Sequence, residues 1–181
     1  MLYEILAKLQ RRNQISLLKR HPNVSFKEIR LGISNELVLH KNAKKITIGN
    51  AASFRNYVHI LVEKDATLEI GEHFFMNNFC SINCLESISI GDHTLFGENV
   101  KLYDHNHAYS TQPDFQLSHS EFTKAPIRIG SNCWLGSNVT VLKGVTIGDN
   151  CIIGAGCVIF KDIPANTTVV NRQDLMLKDQ S

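Results

Sequence analysis

The sequence predicts an all-β fold, a solenoid of short strands arranged three to a coil, and three observations carry that reading. From Ile129 every sixth residue is aliphatic: Ile129, Leu135, Val141, Ile147, Ile153 and Ile159. The residues two before these are Ile127, Cys133, Val139, Val145, Cys151 and Cys157, all small or branched. Gly130, Gly136, Gly148 and Gly154 directly follow four of the aliphatics. A period of six is not helical, but it is a multiple of the strand period of two. Each strand therefore sends one aliphatic and one small residue inward before a tight turn. Three strands return the chain to its start, so three hexads make a coil and the coils stack on one core. Glycine and asparagine at the turns suit backbone with positive φ.

Taken in order, residues 1–22 begin with Leu2, Ile5, Leu6, Leu9, Leu17 and Leu18 among Lys8, Arg11, Arg12, Lys19 and Arg20. This pattern predicts an amphipathic helix ended by His21-Pro22. A basic amphipathic helix suits an anionic membrane surface or a partner. The reading preferred here is a cap over the open end of the solenoid, which repeat folds require.

Residues 23–164 are assigned to the coils. Val24 to Leu39 alternate loosely, and the hexad phase then runs through Ile48, Phe54 and Ile60. Short slips precede Ile70 and Ile90, as small insertions at a coil corner would produce. Between Leu102 and Ile129 the repeat is interrupted for several times the length of a hexad, so residues 103–126 leave the coil as one long excursion loop. Loops of that length in a compact repeat are usually functional. After Pro164 the hexad ends, and 165–181 read as a polar tail.

A length of 181 residues supports one well-cored domain. A net charge of +2 gives no footprint for nucleic acid, and the sequence contains no apolar run long enough to span a membrane. Cys80, Cys84, Cys133, Cys151 and Cys157 are odd in number and contain no C-x-x-C pair. With an N-terminus that lacks a signal peptide's apolar core, they read as reduced thiols in a cytoplasmic protein. Three of them hold the small inward position of the hexad, where cysteine acts as a buried hydrophobe.

The phrases IGSNCWLGSN, GVTIGDN and IGAGCVIFKDIP, with YDHNHAY upstream, resemble the hexapeptide-repeat acyltransferases. The likeness runs from Ile46 to Pro164 and is nearest the galactoside and maltose O-acetyltransferase branch, in character closest to the polysaccharide and lipopolysaccharide enzymes. The resemblance implies a left-handed parallel β-helix, a homotrimer with active sites between subunits, acetyl-CoA as acyl donor, a sugar hydroxyl as acceptor and no metal. It also implies a general base at the start of the loop, and the count from Leu102 puts that role on His107. Histidine can accept a hydroxyl proton near neutral pH. His105 lies two residues away, and Asp104 is a candidate to hold an imidazole tautomer. The competing readings are solvent-exposed histidines, or a metal site with an incomplete ligand set.

The same resemblance assigns Asn78, with its neighbour Asn77, to the acceptor hydroxyl; the alternative is a pair of turn residues. It assigns coenzyme contacts to the backbone of Ser137 and Ala155, with Gly136 and Gly154 permitting close approach. Trp134 would stand at the active-site end of that groove. Lys161 would face the nucleotide phosphates, Lys143 is a weaker candidate, and Arg172 is a substitute for a basic segment that the family carries after its KDIP-like turn. Here that segment reads NTTVVNRQDLMLKD, and the loop has DHNH where the galactoside enzymes have T-G-H-P. These departures point to a different acceptor. An amino-sugar N-acetyltransferase is the near alternative, since an amine must also lose a proton, and the altered C-terminal segment keeps open a non-catalytic β-helix scaffold. Zinc-dependent carbonic anhydrases of the same fold need a histidine pair five residues apart, and no two of the eight histidines have that spacing.

Overall fold

The computed structural model describes residues 2–173, 176 and 178. Helix α1 (Leu2–Arg20) precedes a parallel β-helix whose three faces hold six, seven and six strands. We call these faces A, B and C, in the order the chain visits them. Neighbouring strands on each face are parallel and in register, so inward columns run unbroken through the coils. One such column is Ile46, Leu68, Ile88 and Ile127; another is Ile48, Ile70, Ile90, Ile129 and Ile147. Every inward residue of the hexads from Ile46 to Ile159 is buried, Thr94 included. The Thr94 hydroxyl is satisfied, donating to the Gly130 carbonyl at 2.9 Å and accepting from the Cys133 N–H at 3.2 Å.

The coils are not uniform, and they shorten toward the C-terminus. Val24 pairs with Ile46 and Ile46 with Leu68, steps longer than three hexads. The step from Leu68 to Ile88 is shorter, and that from Ile129 to Ile147 is the plain three hexads. The slips in the hexad phase come from an extra buried residue at the end of face C, Val62 or Cys84. The longest coils add Ala43 or Ala66, buried at the corner that follows. The early strands of face C (Glu36–Leu39, His59–Val62 and Ser81–Cys84) accordingly have four residues, whereas Lys101–Tyr103 and Thr140–Leu142 have three. The wider coils hold larger side chains. Phe54 and Phe74 pack edge-to-face there, and Phe96 of the next coil packs likewise on Phe74, with centroids 5.8 Å and 5.0 Å apart. In the narrower coils the equivalent places carry Cys133, Leu135, Cys151 and Ile153.

Helix α1 caps the wide end. Leu18 is buried, Ile15 packs on the core, and the Gln14 amide donates to the Asn35 carbonyl at 2.7 Å. Ile5, Leu6, Leu9 and Leu17 remain exposed. No helix among the described residues is long and apolar enough to cross a membrane.

Two boundaries differ from the sequence expectation. The coil continues beyond Pro164: Ile163 bridges to Ile147, and Thr168–Val169 add a strand to face B against Ile152–Ile153. Val169 lies six residues after Ile163 and packs on the core, so the hexad resumes after a corner two residues short of the regular step from Ile159. Of the tail 165–181, residues 174, 175, 177 and 179–181 lie outside the described residues. The excursion is not an irregular loop either. It is an antiparallel β-hairpin of His105–Ser110 and Gln116–Lys124, closed at its base by the Ala125 N–H donating to the Asp104 carbonyl at 2.9 Å.

Candidate active site

Each corner between faces B and C repeats one backbone pattern in which the last residue has positive φ. At the corner joining faces B and C these residues are Ser34, Tyr57, Phe79, Asn99, Asn138 and Gly156. The residues just before them form a second column: Ile33, Asn56, Asn78, Glu98, Ser137 and Ala155. Asn78, Ser137 and Ala155 therefore line one edge of the solenoid, about 4.8 Å apart per coil. Arg172 continues this edge, since Asn171 beside it donates to the Gly156 carbonyl at 3.1 Å.

Along this column a side chain of one coil usually accepts the N–H of the coil before. Ile33 donates to the Asn56 amide oxygen at 2.9 Å, Asn56 to that of Asn78 at 3.1 Å, and Glu98 to the Ser137 hydroxyl at 3.3 Å. The Asn78 N–H turns instead to Asn77 at 2.9 Å. The series ends at Ser137, because the next residue along is Ala155, which has no acceptor. Among the described residues the Ser137 N–H then has no protein partner. Asp149, below Ala165 at the corner of faces A and B, is left likewise. Gly136 is required here, since a Cβ would meet the Ala155 nitrogen at 2.8 Å.

The hairpin leaves from the opposite end of face C, at the corner with face A. His105 and His107 share one face of it and both pack on Phe122, with centroids 5.3 Å and 4.7 Å away. His107 is exposed, and its Nδ1 lies 3.1 Å from the Ser118 carbonyl oxygen. A carbonyl only accepts, so in the neutral ring this contact favours the tautomer with the proton on Nδ1 and the lone pair on Nε2. His105 is half-buried, with Nδ1 3.2 Å from Asp104 Oδ1.

Asp104 is fully buried, and its side chain bonds His105 but not His107. Its carboxylate accepts the N–H groups of Leu85 at 2.9 Å, Glu86 at 2.7 Å and Ser87 at 2.9 Å. It thus ties the turn of the preceding coil to the root of the hairpin and steadies His105 alone. Below it, the Cys84 thiol is pushed far up, first by burial and then by the Asp104 charge. The Cys80 thiol is pushed up to about 11, again chiefly by burial. All five cysteines are buried.

The remaining candidates divide between places. Trp134 stands half-exposed on the outside of face B between Leu95 and Ile152. Lys161 is exposed at the hairpin's corner, not at the corner of Ser137. Lys143 is held to the hairpin, its Nζ donating to Thr123 Oγ1 at 2.7 Å. Asn78 donates to Glu98 Oε1 at 3.2 Å. No group of three or more His, Cys, Asp or Glu among the described residues could hold a metal. Within one chain His107 and Ser137 stand at opposite ends of face C, separated by a strand of roughly 10–15 Å. A cavity of about 850 Å³ lies under α1 beside Arg30, Arg55 and His73, away from both. Sequence reasoning misses Tyr57, Phe79 and the Ser118 carbonyl. The first two are findable, since they hold the turn position that Asn99 and Asn138 hold in later coils.

Residues 126–161 match the bacterial transferase hexapeptide family (six repeats). The chain is 39% identical over 101 residues to the galactoside O-acetyltransferase of Escherichia coli strain K12, covering 56% of this chain and 48% of that one. The crystal structure of a maltose O-acetyltransferase from Clostridium difficile 630 is 28% identical, with a TM-score of 0.58, over 87% of this chain and 69% of that one. A galactoside acetyltransferase in complex with coenzyme A is also 28% identical, with a TM-score of 0.50, over 87% and 64%. The chain spans about half the length of the curated relatives it matches. Its hexads and parallel coils make it a parallel β-helix of six-residue repeats, and over part of its length it is similar to the sugar O-acetyltransferases.

Proposed function

We propose that the protein transfers an acetyl group from acetyl-CoA to a hydroxyl of a sugar, with His107 as general base. The observation that carries this reading is the contact of His107 Nδ1 with the Ser118 carbonyl at 3.1 Å, which in the neutral ring leaves the Nε2 lone pair free at the start of the hairpin. Nε2 takes the proton of the acceptor hydroxyl as that oxygen attacks the thioester carbonyl. The unpartnered N–H of Ser137 is the donor suited to the oxyanion that forms. Collapse of the intermediate expels the coenzyme thiolate, and the imidazolium supplies its proton. No acyl-enzyme forms. The exposed Ala155 turn and Arg172 continue the Ser137 edge, which suits an extended pantetheine arm with its phosphates toward the guanidinium.

His107 and Ser137 cannot meet within one chain, so the reading requires a second copy to bring its hairpin against this edge. A homotrimer, as the resemblance implies, is the proposed assembly, and sedimentation equilibrium measures it. The decisive experiment is steady-state kinetics of His107→Ala. Its kcat should fall by roughly 10²–10⁴, while the thermal shift with acetyl-CoA is retained. Undiminished turnover would remove His107 from the role. No shift in the wild type would favour the scaffold reading. Alkaline lability of the product separates an ester from the amide of an amino-sugar N-acetyltransferase.

A further inference from the structure

The edge that carries Ser137 changes chemistry toward the N-terminus. Its φ-positive position is filled by Gly156, Asn138 and Asn99 in the upper coils, then by Phe79 (φ 61) and Tyr57 (φ 57). Glycine and asparagine tolerate this conformation, whereas a bulky ring there is an outlier. Neither ring is buried in compensation, Phe79 being 56% and Tyr57 51% exposed. They lie parallel, centroids 5.1 Å apart and planes 5° apart. Stacking between them is not a sufficient reason for their presence. One coil further on, Asn99 and Asn138 link the same positions through an amide hydrogen bond of 2.7 Å, with side chains suited to the backbone. Strain held at an exposed position with an apolar surface points to a ligand.

We infer that Phe79 and Tyr57 form a sugar-stacking platform, and that the acceptor is an oligosaccharide whose further ring rests there. This rests on the acetyl-transfer reading and deepens it from "a sugar" to a chain of at least two. The C–H face of a pyranose is apolar and packs on aromatic carbon, while its hydroxyl edge needs polar partners. Asn78 and Glu98 supply them in the adjoining column, already 3.2 Å from each other. Phe79 lies two coils, or roughly 10 Å, below the level of Ser137, so the acetylated ring and the stacked ring are different rings.

The test compares the full-length wild type with Phe79→Asn, Tyr57→Asn and the double variant. Affinities are measured by saturation-transfer NMR for methyl glycosides and matching tetrasaccharides of glucose, galactose and N-acetylglucosamine. The wild type should prefer at least one tetrasaccharide to its methyl glycoside by about tenfold, the effect of a well-stacked ring. The double variant should lose that preference, keep the acetyl-CoA thermal shift, and melt no lower than the wild type, because asparagine relieves the strained turn. A wild type without length preference, or a variant that retains it, overturns the platform. So does a variant that melts lower or changes its sedimentation coefficient, which would make the pair a packing or subunit contact. Loss of the acetyl-CoA shift in the wild type would instead overturn the acetyl-transfer reading beneath it.

Discussion

The coils before the hairpin and those after it solve one geometric problem with different residues. The early coils are longer than three hexads, enclose Phe54 and Phe74, and turn on Ala51, Tyr57, His73 and Phe79. The last coil before the hairpin is transitional, with Phe96 in its core and His93 and Asn99 at its corners. The later coils keep to three hexads, enclose cysteine, valine, leucine and isoleucine, and turn on Asn132, Asn138 and Asn150. The second set is what backbone physics alone would select: small residues for a narrow triangle and asparagine for positive φ. The first set departs from it at both the core and the corner. A repeat therefore constrains its inward columns strictly and leaves its corners free to carry surface chemistry.

The largest test of this contrast is in the core. Phe74→Ala should cost about 3–5 kcal/mol, and Leu135→Ala in a late coil about 2–4 kcal/mol. At about 2–4 °C per kcal/mol for a chain of this size, calorimetry resolves the difference. Equal losses would mean that the wide coils gain nothing from their aromatic stack. Next comes the junction. Asp104→Ala removes the acceptor of three N–H donors, that of Leu85 buried, and should cost about 2–4 kcal/mol, read by urea denaturation. A loss below about 0.5 kcal/mol would show that the hairpin root is held by its backbone alone.

The corner substitution is smaller. Asn138→Phe brings the early coils' device into a late one, and should lower stability by about 1–2 kcal/mol. A neutral result would mean that these corners tolerate any ring, weakening the strain argument at Phe79. The smallest effect is in alkali. The unfolded thiols ionise from about pH 9, whereas folded Cys80 holds its proton to about 11. The folded state then binds more protons, so stability falls as pH rises from 9 to 11. The melting temperature of wild type should decline across that window more steeply than that of Cys80→Ala, and parallel slopes would assign the decline elsewhere.

The hexads make most of the fold legible, because an inward column is a sequence period and little else satisfies it. The Thr168–Val169 strand is missed because the step from Ile159 to Ile163 is four residues instead of six, which breaks the phase before Val169 resumes it six residues after Ile163. The hairpin reads as a loop for a related reason: His105 to Ser110 lies on no core, so no apolar alternation marks it. In the candidate site, His105 and His107 stand out through a motif that the structure places on one hairpin face. The role of Asp104 is not visible in the sequence, because its three N–H partners lie 17–19 residues earlier. Tyr57 and Phe79 escape a hexad reading because it follows the columns that face inward.

The register across the hairpin is undisturbed: Ile88 pairs with Ile127 and Ile90 with Ile129, as if residues 104–126 were not there. Ala125 and Asp104 close the gap at a single point of the corner. The hairpin is thus an exchangeable cassette. Residues 105–124 are open to transplantation from one such solenoid to another without rebuilding the core, so recognition can diversify while the scaffold stands still.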